Sequence, residues 1–486
     1  PKGDLILYTT EVNGKKNTLH YAYKFNIYAE TPLYRANVIV DAGTGKILAE
    51  ENLICTADVS GTANTKYSGV QSFTVDNFAA GNYRLRETGR GLGIETYNLG
   101  TGTTYVNTDL TYTSTVWPNT GIEQLGTDAH FGCEKTYDYY FINHGRNSLD
   151  NAGFKLLSYI NYGVNYNNAF WDGARMTYGS GGGGGFIGLD ICAHEVTHGL
   201  TSNTSNLIYS YESGALNESY SDIFGNSIEY YGKPLTATWV LGESIGGIRN
   251  MANPNAFADP DTYLGTNWYT GTGDNGGVHT NSGVSNFWYY LLVTGGSGTN
   301  DIANTYTVGS IGWTAASRIA FRALTVYYTP STNYANARIL SIQAAKDLYG
   351  NCSNEVRQVT NAWYAVGVGA AYSNSISPNF VASGTSFCAV PISINFSNTT
   401  ASGVTYQWNF GDGSAISTAT NPAHTYTANG TYSVKLKVTG CLASVDSITK
   451  VAYITIATPA NPTTTGASRC STGTLSLGAT GTSQLY

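Results

Sequence analysis

Charged residues are scarce in this sequence of 486 residues: Asp, Glu, Lys and Arg make up 12% of it, far below the roughly 25% of an average soluble domain. The 25 Lys and Arg are outnumbered by 32 Asp and Glu, which gives a net charge of -7, and no basic block is present. We therefore expect no nucleic-acid partner, because phosphate backbones are bound by clustered Lys and Arg. The abundance of Gly, Tyr, Ser, Thr and Asn favours a secreted, extracellular protein.

Long apolar runs are missing as well. The longest, such as FWYYLLV at 287–293, are much shorter than the roughly 18 to 20 residues that a membrane span needs. We therefore expect no membrane span, and we expect a monomer. The sequence also has no initiating Met and no signal peptide, which predicts an internal fragment of a longer, secreted bacterial precursor.

Cysteines are few and scattered. None of the seven belongs to a C-x-x-C pair, and this excludes a thiolate metal site. Disulfides are compatible with the sequence, but one cysteine must stay unpaired because the number is odd. The cysteines occupy positions 55, 133, 192, 352, 388, 441 and 470.

The length of the chain exceeds what one hydrophobic core usually supports, so we expect two to four domains. Residues 1–56 alternate as strands, with turn signals at Asn13–Gly14 and Ala42–Gly43. Short strands continue from 57 to 180, interrupted by one predicted helix near 126–143. The first part of the chain is thus predicted to be rich in β-structure.

Helical patterns dominate from 186 to 370. In one of them an apolar stripe at helical spacing follows Asn281–Ser282, a predicted N-cap. The stripe consists of Val284, Phe287, Trp288 and Leu291. Together with the preceding strands, this pattern predicts an α+β fold in which a β-rich lobe precedes a mainly helical lobe.

The pattern changes again after about 372, to alternating strands with Ser and Thr turns. In GTYSVKLKVTG (430–440), Tyr and aliphatic residues face one way and lysines the other, as in a half-buried antiparallel strand. Together with YQWNFGDGS (406–414) and NPAHTYTANG (421–430), this strand resembles a PKD-type immunoglobulin-like β-sandwich. We expect this all-β domain over 373–458.

Two cysteines lie at the ends of this expected sandwich, and Cys388 and Cys441 are therefore a candidate disulfide pair. The residues that follow, 459–486, are too few to close a domain. They are predicted to form a linker and the start of a further, truncated β module.

The stretch AHEVTHGL (193–200) contains the pattern H-E-x-x-H. In a helix, His194 and His198 are separated by four residues, so both imidazoles project from one face and reach one metal ion, for which zinc is suited. Glu195 lies one residue round from the first histidine, where it is placed to accept a proton from a zinc-bound water rather than to bind the metal. The alternative is a pair of surface histidines beside a solvated glutamate.

A catalytic zinc requires a third protein ligand and one open position. No third histidine follows at a short spacing, since position 201 is Thr, and no cysteine cluster is near. The candidate is Glu218, which is separated from His198 by 19 residues, enough for a loop and a second packed helix. Four residues later, Asp222 lies on the same helix face and is placed to accept the outer N–H of His194.

Four ordered motifs resemble the thermolysin-like zinc metalloendopeptidases. They are YNNAFWDGARMTYG (166–179), AHEVTHGL (193–200), SGALNESYSDIFG (213–225) and DNGGVHTNSG (274–283). The resemblance implies a two-lobed peptidase domain, assigned to 57–372, that hydrolyses internal peptide bonds of proteins or peptides. It also implies that His194, His198 and Glu218 bind one catalytic zinc ion and that Glu195 is the general base.

The resemblance assigns further roles around the zinc. Tyr209 and His279 match a pair that hydrogen-bonds the oxyanion of the tetrahedral intermediate, and Asp274 matches the carboxylate that orients this histidine. Asn168 and Ala169 match a strand edge that binds extended substrate through main-chain hydrogen bonds.

The resemblance also implies a specificity pocket. Arg249 matches an arginine that holds a substrate carbonyl beside Glu218. The family lines its pocket for the residue after the scissile bond at positions matching Phe186, Ile191, Leu241 and Ile248, so we expect cleavage before bulky apolar residues. The loop at 180–189 is shorter than the family norm, and simple core packing is the alternative role for the four pocket residues.

A structural calcium site is the place where the sequence departs from the family. Asp190, Glu229 and Glu243 match acidic ligands of that site, and oxygen clusters of this kind suit calcium. The further acids that allow two adjacent ions in well-known members are replaced by Thr238 and Val240. We therefore expect one calcium ion in this site, with three solvated surface acids as the alternative.

Residues 1–56 resemble the end of a pro-region, a partner that we expect to be removed near 53–57 on activation. An ordinary first strand pair of the next domain is the alternative. Two rival functions also stay open: a binding protein that keeps zinc for structure only, and a sandwich that docks the chain to a polymer such as collagen or chitin or to a cell surface. Glu195, Tyr209 and His279 argue against the first rival, since none of them is needed to hold the metal.

Overall fold

The computed structural model describes residues 2–12, 15–30, 33–52, 57–79, 81–181, 185–400, 403–461, 463–466, 468, 471–474 and 477–480. The chain divides into two compact units, residues 1–344 with 365–368 and residues 345–364 with 369–486. Strands are numbered β1 to β27 and helices α1 to α8 in chain order. Within the described residues, no helix has the combination of length and apolarity that a membrane crossing requires.

The first unit starts with a four-stranded antiparallel sheet in the order β1-β2-β3-β4. Its strands are β1 (Asp4–Val12), β2 (Lys15–Glu30), β3 (Leu33–Asp41) and β4 (Ile47–Asn52). The predicted turn at Ala42–Gly43 is present and is closed by Asp41, whose Oδ1 accepts hydrogen bonds from the backbone N–H groups of Gly43 and Thr44 at 3.0 and 2.8 Å. The predicted Asn13–Gly14 turn lies outside the described residues.

Two five-stranded sheets follow, in the orders β10-β7-β6-β5-β11 and β13-β14-β12-β9-β8. Their strands are β5 (Ala57–Thr65), β6 (Gly69–Ala79), β7 (Asn82–Arg84), β8 (Arg86–Glu87), β9 (Ile94–Asn98), β10 (Thr111–Tyr112), β11 (Val116–Trp117), β12 (Leu156–Tyr162), β13 (Ala169–Trp171) and β14 (Met176–Gly179). β13 lies at the edge of the second sheet and pairs antiparallel with β14. This is the β-rich lobe that the sequence predicts.

The single helix predicted in this lobe is α1 (Gly121–His144), which packs against strands of both sheets. It begins five residues earlier than the pattern indicates. It ends where Gly145 adopts a φ of 65°, a conformation that glycine tolerates, and the N–H of Gly145 bonds back to the helix.

The rest of the helical region contains seven helices and two small hairpins. The helices are α2 (Leu189–Ser202), α3 (Tyr211–Gly232), α4 (Asp274–Asn281), α5 (Gly283–Thr294), α6 (Gly312–Arg322), α7 (Tyr334–Tyr349) and α8 (Asn354–Ala365). The hairpins are β15 (Val240–Leu241) with β16 (Arg249–Asn250) and β17 (Gly296–Thr299) with β18 (Thr305–Val308). α2 and α3 form the closest packed helix pair, and Gly225 is part of the reason. A Cβ at this position would lie 2.8 Å from the carbonyl oxygen of Asp190.

The apolar stripe predicted for α5 is largely correct, since Val284, Trp288 and Leu291 are buried and Phe287 is half-buried. Ser282 is the N-cap residue of α5, as predicted, although its side chain makes no capping hydrogen bond. The Ser282 hydroxyl donates to the carbonyl oxygen of His279 at 2.6 Å, because α4 runs directly into α5 and supplies that acceptor.

The second unit contains a β-sandwich of two sheets, in the orders β19-β21-β23 and β20-β25-β24-β22. Its strands are β19 (Phe380–Ala382), β20 (Ser386–Phe387), β21 (Ile392–Asn398), β22 (Gly403–Asn409), β23 (Ala423–Tyr426), β24 (Gly430–Gly440) and β25 (Val445–Ile456). On β24, Val434, Leu436 and Val438 are buried while both intervening lysines are exposed, as predicted. These side chains pack with Trp408 and Phe396 in the core between the sheets. A further hairpin follows, β26 (Thr463–Thr465) with β27 (Gly478–Thr480).

The predicted pairing of Cys388 with Cys441 is wrong, because Cys441 forms a disulfide with Cys352 and Cys388 is free and exposed. Cys388 follows Phe387, which pairs with the end of β25, whereas Cys441 precedes the start of β25. At about 3.3 Å per residue the length of that strand separates the two thiols by roughly 35 Å, far beyond disulfide reach. Cys133 and Cys192 are buried and free, and Cys55 and Cys470 lie outside the described residues.

Candidate active site

The two histidines of the predicted zinc helix lie on α2, one helical turn apart, and face a common point. Their Nε2 atoms are 2.9 Å apart. Glu218 approaches from α3, with its carboxylate oxygens 3.5 Å from the Nε2 of His194 and 3.4 Å from the Nε2 of His198. The structure thus brings the three predicted zinc ligands together at one place.

The donor set at this place fits a zinc ion. Two imidazole nitrogens and one carboxylate oxygen are a combination that catalytic zinc sites use. Glu218 is 1% exposed, and its Oε2 is buried without a hydrogen-bond partner among the described residues. A buried carboxylate oxygen in this state suits a cation at closer range than the Arg249 guanidinium, which lies 3.7 Å away.

Each histidine is oriented through its other ring nitrogen. The Nδ1 of His194 lies 2.9 Å from Asp222, as the sequence predicts, and the Nδ1 of His198 lies 2.7 Å from the side-chain oxygen of Asn217. These bonds leave both Nε2 atoms free for a metal. Sequence reasoning missed Asn217. The only signal for it in the sequence is that a polar residue directly precedes Glu218 on a helix whose residues are mostly buried.

Asp222 is itself held by a network. Arg249 makes two hydrogen bonds to its carboxylate, at 2.7 and 2.6 Å, and the amide of Asn286 donates a third at 2.8 Å. The Ser219 hydroxyl in turn donates to the side-chain oxygen of Asn286 at 2.7 Å. Burial raises the pKa of Asp222, but Arg249 and His194 outweigh burial and lower that pKa to about 2, so this acceptor is ionised.

Glu195 lies on α2 between the two histidines, and all three side chains line one cavity. Its side chain is nearly buried, at 6% exposure. Burial raises the pKa of the Glu195 carboxyl group above its ordinary value, although the two histidines act in the opposite direction. A carboxylate with a raised pKa is a stronger proton acceptor.

Three more predicted residues, Tyr209, His279 and Asp274, lie together beside Glu218. The Tyr209 hydroxyl donates to the Oε1 of Glu218 and lies 3.2 Å from the Nε2 of His279. Asp274 binds both the ring Nδ1 of His279, at 2.6 Å, and its backbone N–H, at 2.9 Å. The glycines of DNGGVH allow this geometry, because Gly276 and Gly277 adopt φ values of 90° and 78° and turn the chain back on Asp274.

All the residues predicted to bind substrate line one cavity of about 970 Å³ together with the three predicted zinc ligands, Glu195, Tyr209 and His279. They are Asn168, Ala169, Phe186, Ile191, Leu241, Ile248 and Arg249. Ala169 belongs to the edge strand β13, whose inner side is paired with β14. Its neighbours Phe170 and Trp171 also line the cavity, a contribution that sequence reasoning missed.

The predicted calcium ligands form a second cluster, in which Asp190 belongs to α2, Glu229 to α3 and Glu243 to a short turn after β15. Oxygen atoms of Asp190, Glu229 and Glu243 lie within 4.8 Å of one another. The Oε2 atoms of Glu229 and Glu243 are buried without hydrogen-bond partners among the described residues, so this cluster also fits a cation. Burial and the nearby Asp190 raise the pKa of Glu229 to about 9. Sequence reasoning missed Lys233, whose Nζ lies 2.7 Å from Glu229.

Family models match three successive parts of the chain. Residues 60–202 match the thermolysin metallopeptidase catalytic domain, and residues 205–368 match the thermolysin metallopeptidase α-helical domain. Residues 377–456 match the PKD domain.

Two curated relatives show the same likeness. The chain is 37% identical over 405 residues to a bacillolysin of Bacillus cereus, a match that covers 76% of this chain and 69% of that protein. It is 36% identical over 391 residues to a transglutaminase-activating metalloprotease of Streptomyces mobaraensis, with 76% and 50% covered. A precursor of protealysin from Serratia proteamaculans is 27% identical, with 57% and 87% covered and a TM-score of 0.47.

Proposed function

The chain belongs to the thermolysin family of metallopeptidases, and from this premise we propose that it cuts internal peptide bonds on the N-terminal side of bulky apolar residues. As a member of this family it is a zinc metalloendopeptidase. One observation carries the finer proposal: the nearly buried Glu195, the His194–His198–Glu218 cluster and an apolar pocket share one cavity.

We propose that His194, His198 and Glu218 hold the catalytic zinc. When bound there, zinc would supply Lewis-acid polarisation of the scissile carbonyl and of the attacking water. Glu195 takes the proton from that water as it attacks the carbonyl carbon, and later delivers it to the leaving amine nitrogen. Asp222 and Asn217 keep the two imidazoles in the tautomer that leaves Nε2 free.

Tyr209 and His279 stabilise the oxyanion that develops on the former carbonyl oxygen. Both present a donor to the same side of Glu218, and their side chains are 3.2 Å apart. The imidazole of His279 is fixed by Asp274, which contacts its Nδ1. Donors fixed in advance around a developing negative charge lower the barrier without reorganisation during the reaction.

Substrate binds extended along the edge of β13. Asn168 and Ala169 would offer main-chain hydrogen bonds on the unpaired side of this strand, as in strand addition. The side chain after the scissile bond would then enter the pocket formed by Phe186, Ile191, Leu241 and Ile248. Arg249 would hold a substrate carbonyl beside Glu218 while keeping its hydrogen bonds to Asp222.

The remaining assignments complete the proposal. Residues 1–56 are the end of a pro-region, 57–372 the peptidase, 373–458 the PKD domain, and 459–486 a linker with the start of another module. Cleavage near 53–57, a region partly outside the described residues, separates the first two.

We propose that the enzyme is extracellular and monomeric. We also propose that the acid cluster holds one calcium ion and that the PKD domain carries any polymer or cell-surface contact. The disulfide between Cys352 and Cys441 is compatible with an oxidising, extracellular environment.

Cleavage mapping of unfolded casein by mass spectrometry tests the proposal. The zinc-loaded chain should make internal cuts before bulky apolar residues, and a Glu195→Gln variant should lose about 10²- to 10⁴-fold in rate while keeping its zinc. Glu123→Gln on α1 is the matched control and should cut normally. If the zinc-loaded chain, freed of residues 1–56, makes no cuts, the metal is structural and the chain is a binding protein.

A further inference from the structure

Lys233 is a buried cation placed directly against the acid cluster. It follows the last residue of α3, and its side chain is 9% exposed. The Nζ lies 2.7 Å from the Oε1 of Glu229 and 3.9 Å from the Oε1 of Glu243, and it also donates to the backbone carbonyl oxygen of Tyr67 at 3.5 Å. The ammonium group therefore has acceptors on more than one side and little contact with solvent.

The net charge of the three carboxylates and Lys233 matches one divalent cation. With a divalent cation bound beside them, the carboxylates of Asp190, Glu229 and Glu243 would all be ionised and carry three negative charges, and the ammonium group of Lys233 removes one, which leaves two. One divalent cation neutralises the remainder. Two divalent cations would leave an excess of two positive charges in a buried place, at a high desolvation cost.

The positions of the oxygens agree with this division. Lys233 makes ion-pair contacts with the Oε1 atoms of both glutamates, while the buried oxygens without a hydrogen-bond partner among the described residues include the Oε2 atoms of both and also the Oε1 of Glu229. The ammonium group thus faces the Oε1 side of the cluster, and the Oε2 side is open for a metal. An ordinary surface ion pair, which stabilises a protein by only about 0 to 1 kcal/mol, does not have this burial.

We propose that Lys233 is a built-in counter-ion of the acid cluster. It limits the cluster to one divalent cation, weakens the binding of that cation by repulsion, and keeps the turn at Glu243 attached to the end of α3 when calcium is absent. This inference rests on the calcium assignment made under the proposed function and adds the role of Lys233 to it. Its consequence is a peptidase that stays folded over a wider range of calcium concentration than the three carboxylates alone would permit.

The test uses Lys233→Gln in the full chain with Glu195→Gln added, so that no variant digests itself during measurement. Calcium is removed with a chelating resin, zinc is then restored to one equivalent, and calcium chloride is titrated calorimetrically. Removal of the positive charge should raise calcium affinity about tenfold or more, because like charges a few ångströms apart repel strongly in a buried site. The unfolding temperature of Lys233→Gln should fall clearly without calcium and little with saturating calcium.

Two further variants make the result specific. Lys233→Arg keeps the charge and should bind calcium as the parent chain does. Lys155→Gln removes a lysine paired with Glu95 at a partly exposed site and should change neither calcium affinity nor calcium dependence. If Lys233→Gln is unfolded without calcium and folds when calcium is added, that result supports the proposal too.

Several results would overturn the inference. They are a parent chain that binds two calcium ions at the cluster, a Lys233→Gln variant with equal or weaker calcium affinity, and an equal loss of unfolding temperature with and without calcium. Absence of calcium binding in every variant would also overturn it. None of these outcomes bears on peptide cleavage, which the casein experiment with intact Glu195 measures separately.

Discussion

The two clusters that we propose to bind metals both use residues of α2 and α3, yet they are built differently. The cluster at His194 and His198 offers two imidazole nitrogens and the Glu218 carboxylate, and each of these groups is oriented by a further side chain. The cluster at Asp190, Glu229 and Glu243 offers oxygens only, and its further partners include the Lys233 cation and the backbone N–H of Gly242. A site that must position a reaction needs fixed directions, whereas a site that joins two helices needs only balanced charge.

The two clusters are also close along the chain. Asp190 precedes His194 by a single helical turn on α2, and Gly225 of α3 faces both. A Cβ on Gly225 would lie 2.8 Å from the carbonyl oxygen of Asp190 and 3.6 Å from the Cβ of His194. Because Gly225 has no side chain, α2 and α3 approach closely enough to contribute residues to both clusters. Substitutions in one cluster show whether the other is independent of it.

The largest effect is expected for His198→Ala. With two ligands left, the zinc should be lost and casein cleavage with it, because catalytic zinc requires three protein ligands. Metal analysis of the purified variant should still find calcium at the level of the parent chain. His424→Ala in the sandwich is the control, and loss of calcium together with zinc would show that the clusters are coupled.

Asp190→Asn should have the converse effect. The variant loses one carboxylate of the oxygen cluster but keeps an acceptor for the backbone N–H of Gly242. The stabilisation by bound calcium, about 2.7 kcal/mol when free calcium is 100 times the Kd, should disappear from thermal unfolding, while zinc content stays at one. Asp446→Asn on β25 serves for comparison. An unchanged calcium dependence would argue that Asp190 is no ligand.

Asn217→Ala separates orientation from ligation. No ligand atom is removed, but the Nδ1 of His198 loses its acceptor. We expect zinc affinity to fall about 10- to 100-fold, measured by competition with a chromophoric chelator, and calcium binding to stay the same. Asn143→Ala, where the amide bonds only to the Tyr139 carbonyl oxygen, is the matched control. Equal zinc affinities in the two variants would show that the Asn217 contact has no role in binding.

The smallest effect is expected for Ser219→Ala, which removes the outermost group of the network Ser219–Asn286–Asp222–His194. The free energy of unfolding should fall by about 0.5 to 1.5 kcal/mol, as urea unfolding would show, with zinc affinity close to that of the parent chain. Ser213→Ala near the start of the same helix is the control. A decrease in zinc affinity as large as that of Asn217→Ala would mean that Ser219, through Asn286 and Asp222, contributes to the orientation of His194.

The sequence alone predicted most of the site because its signals are local or regularly spaced. The spacing of His194 and His198 places both on one helix face, and the family motifs supplied Glu218, Tyr209, Asp274 and His279 together. The β-rich lobe, the helical lobe and the sandwich followed from alternation and helical spacing. The apolar stripe of α5 was likewise visible in the sequence.

What the sequence did not reveal depends on contacts across elements. Asn217, Asn286 and Lys233 contribute through side chains that meet residues of another helix or loop, and no spacing in the chain indicates such a meeting. The cysteine pairing failed for the same reason, since strand order in the sandwich decides which end of β25 each thiol approaches. The hydroxyl of Ser282 bonds to His279 because two helices are consecutive, a detail that capping preferences do not contain.

The disulfide between Cys352 and Cys441 makes intactness of the backbone and intactness of the molecule two different properties. The two cysteines are 89 positions apart, so a single peptide bond cut anywhere between them leaves both fragments covalently joined. A chain nicked there, by itself or by another peptidase, would keep its full mass until a reductant separates the pieces. Size measured without reduction would therefore overstate how much uncut enzyme a preparation contains.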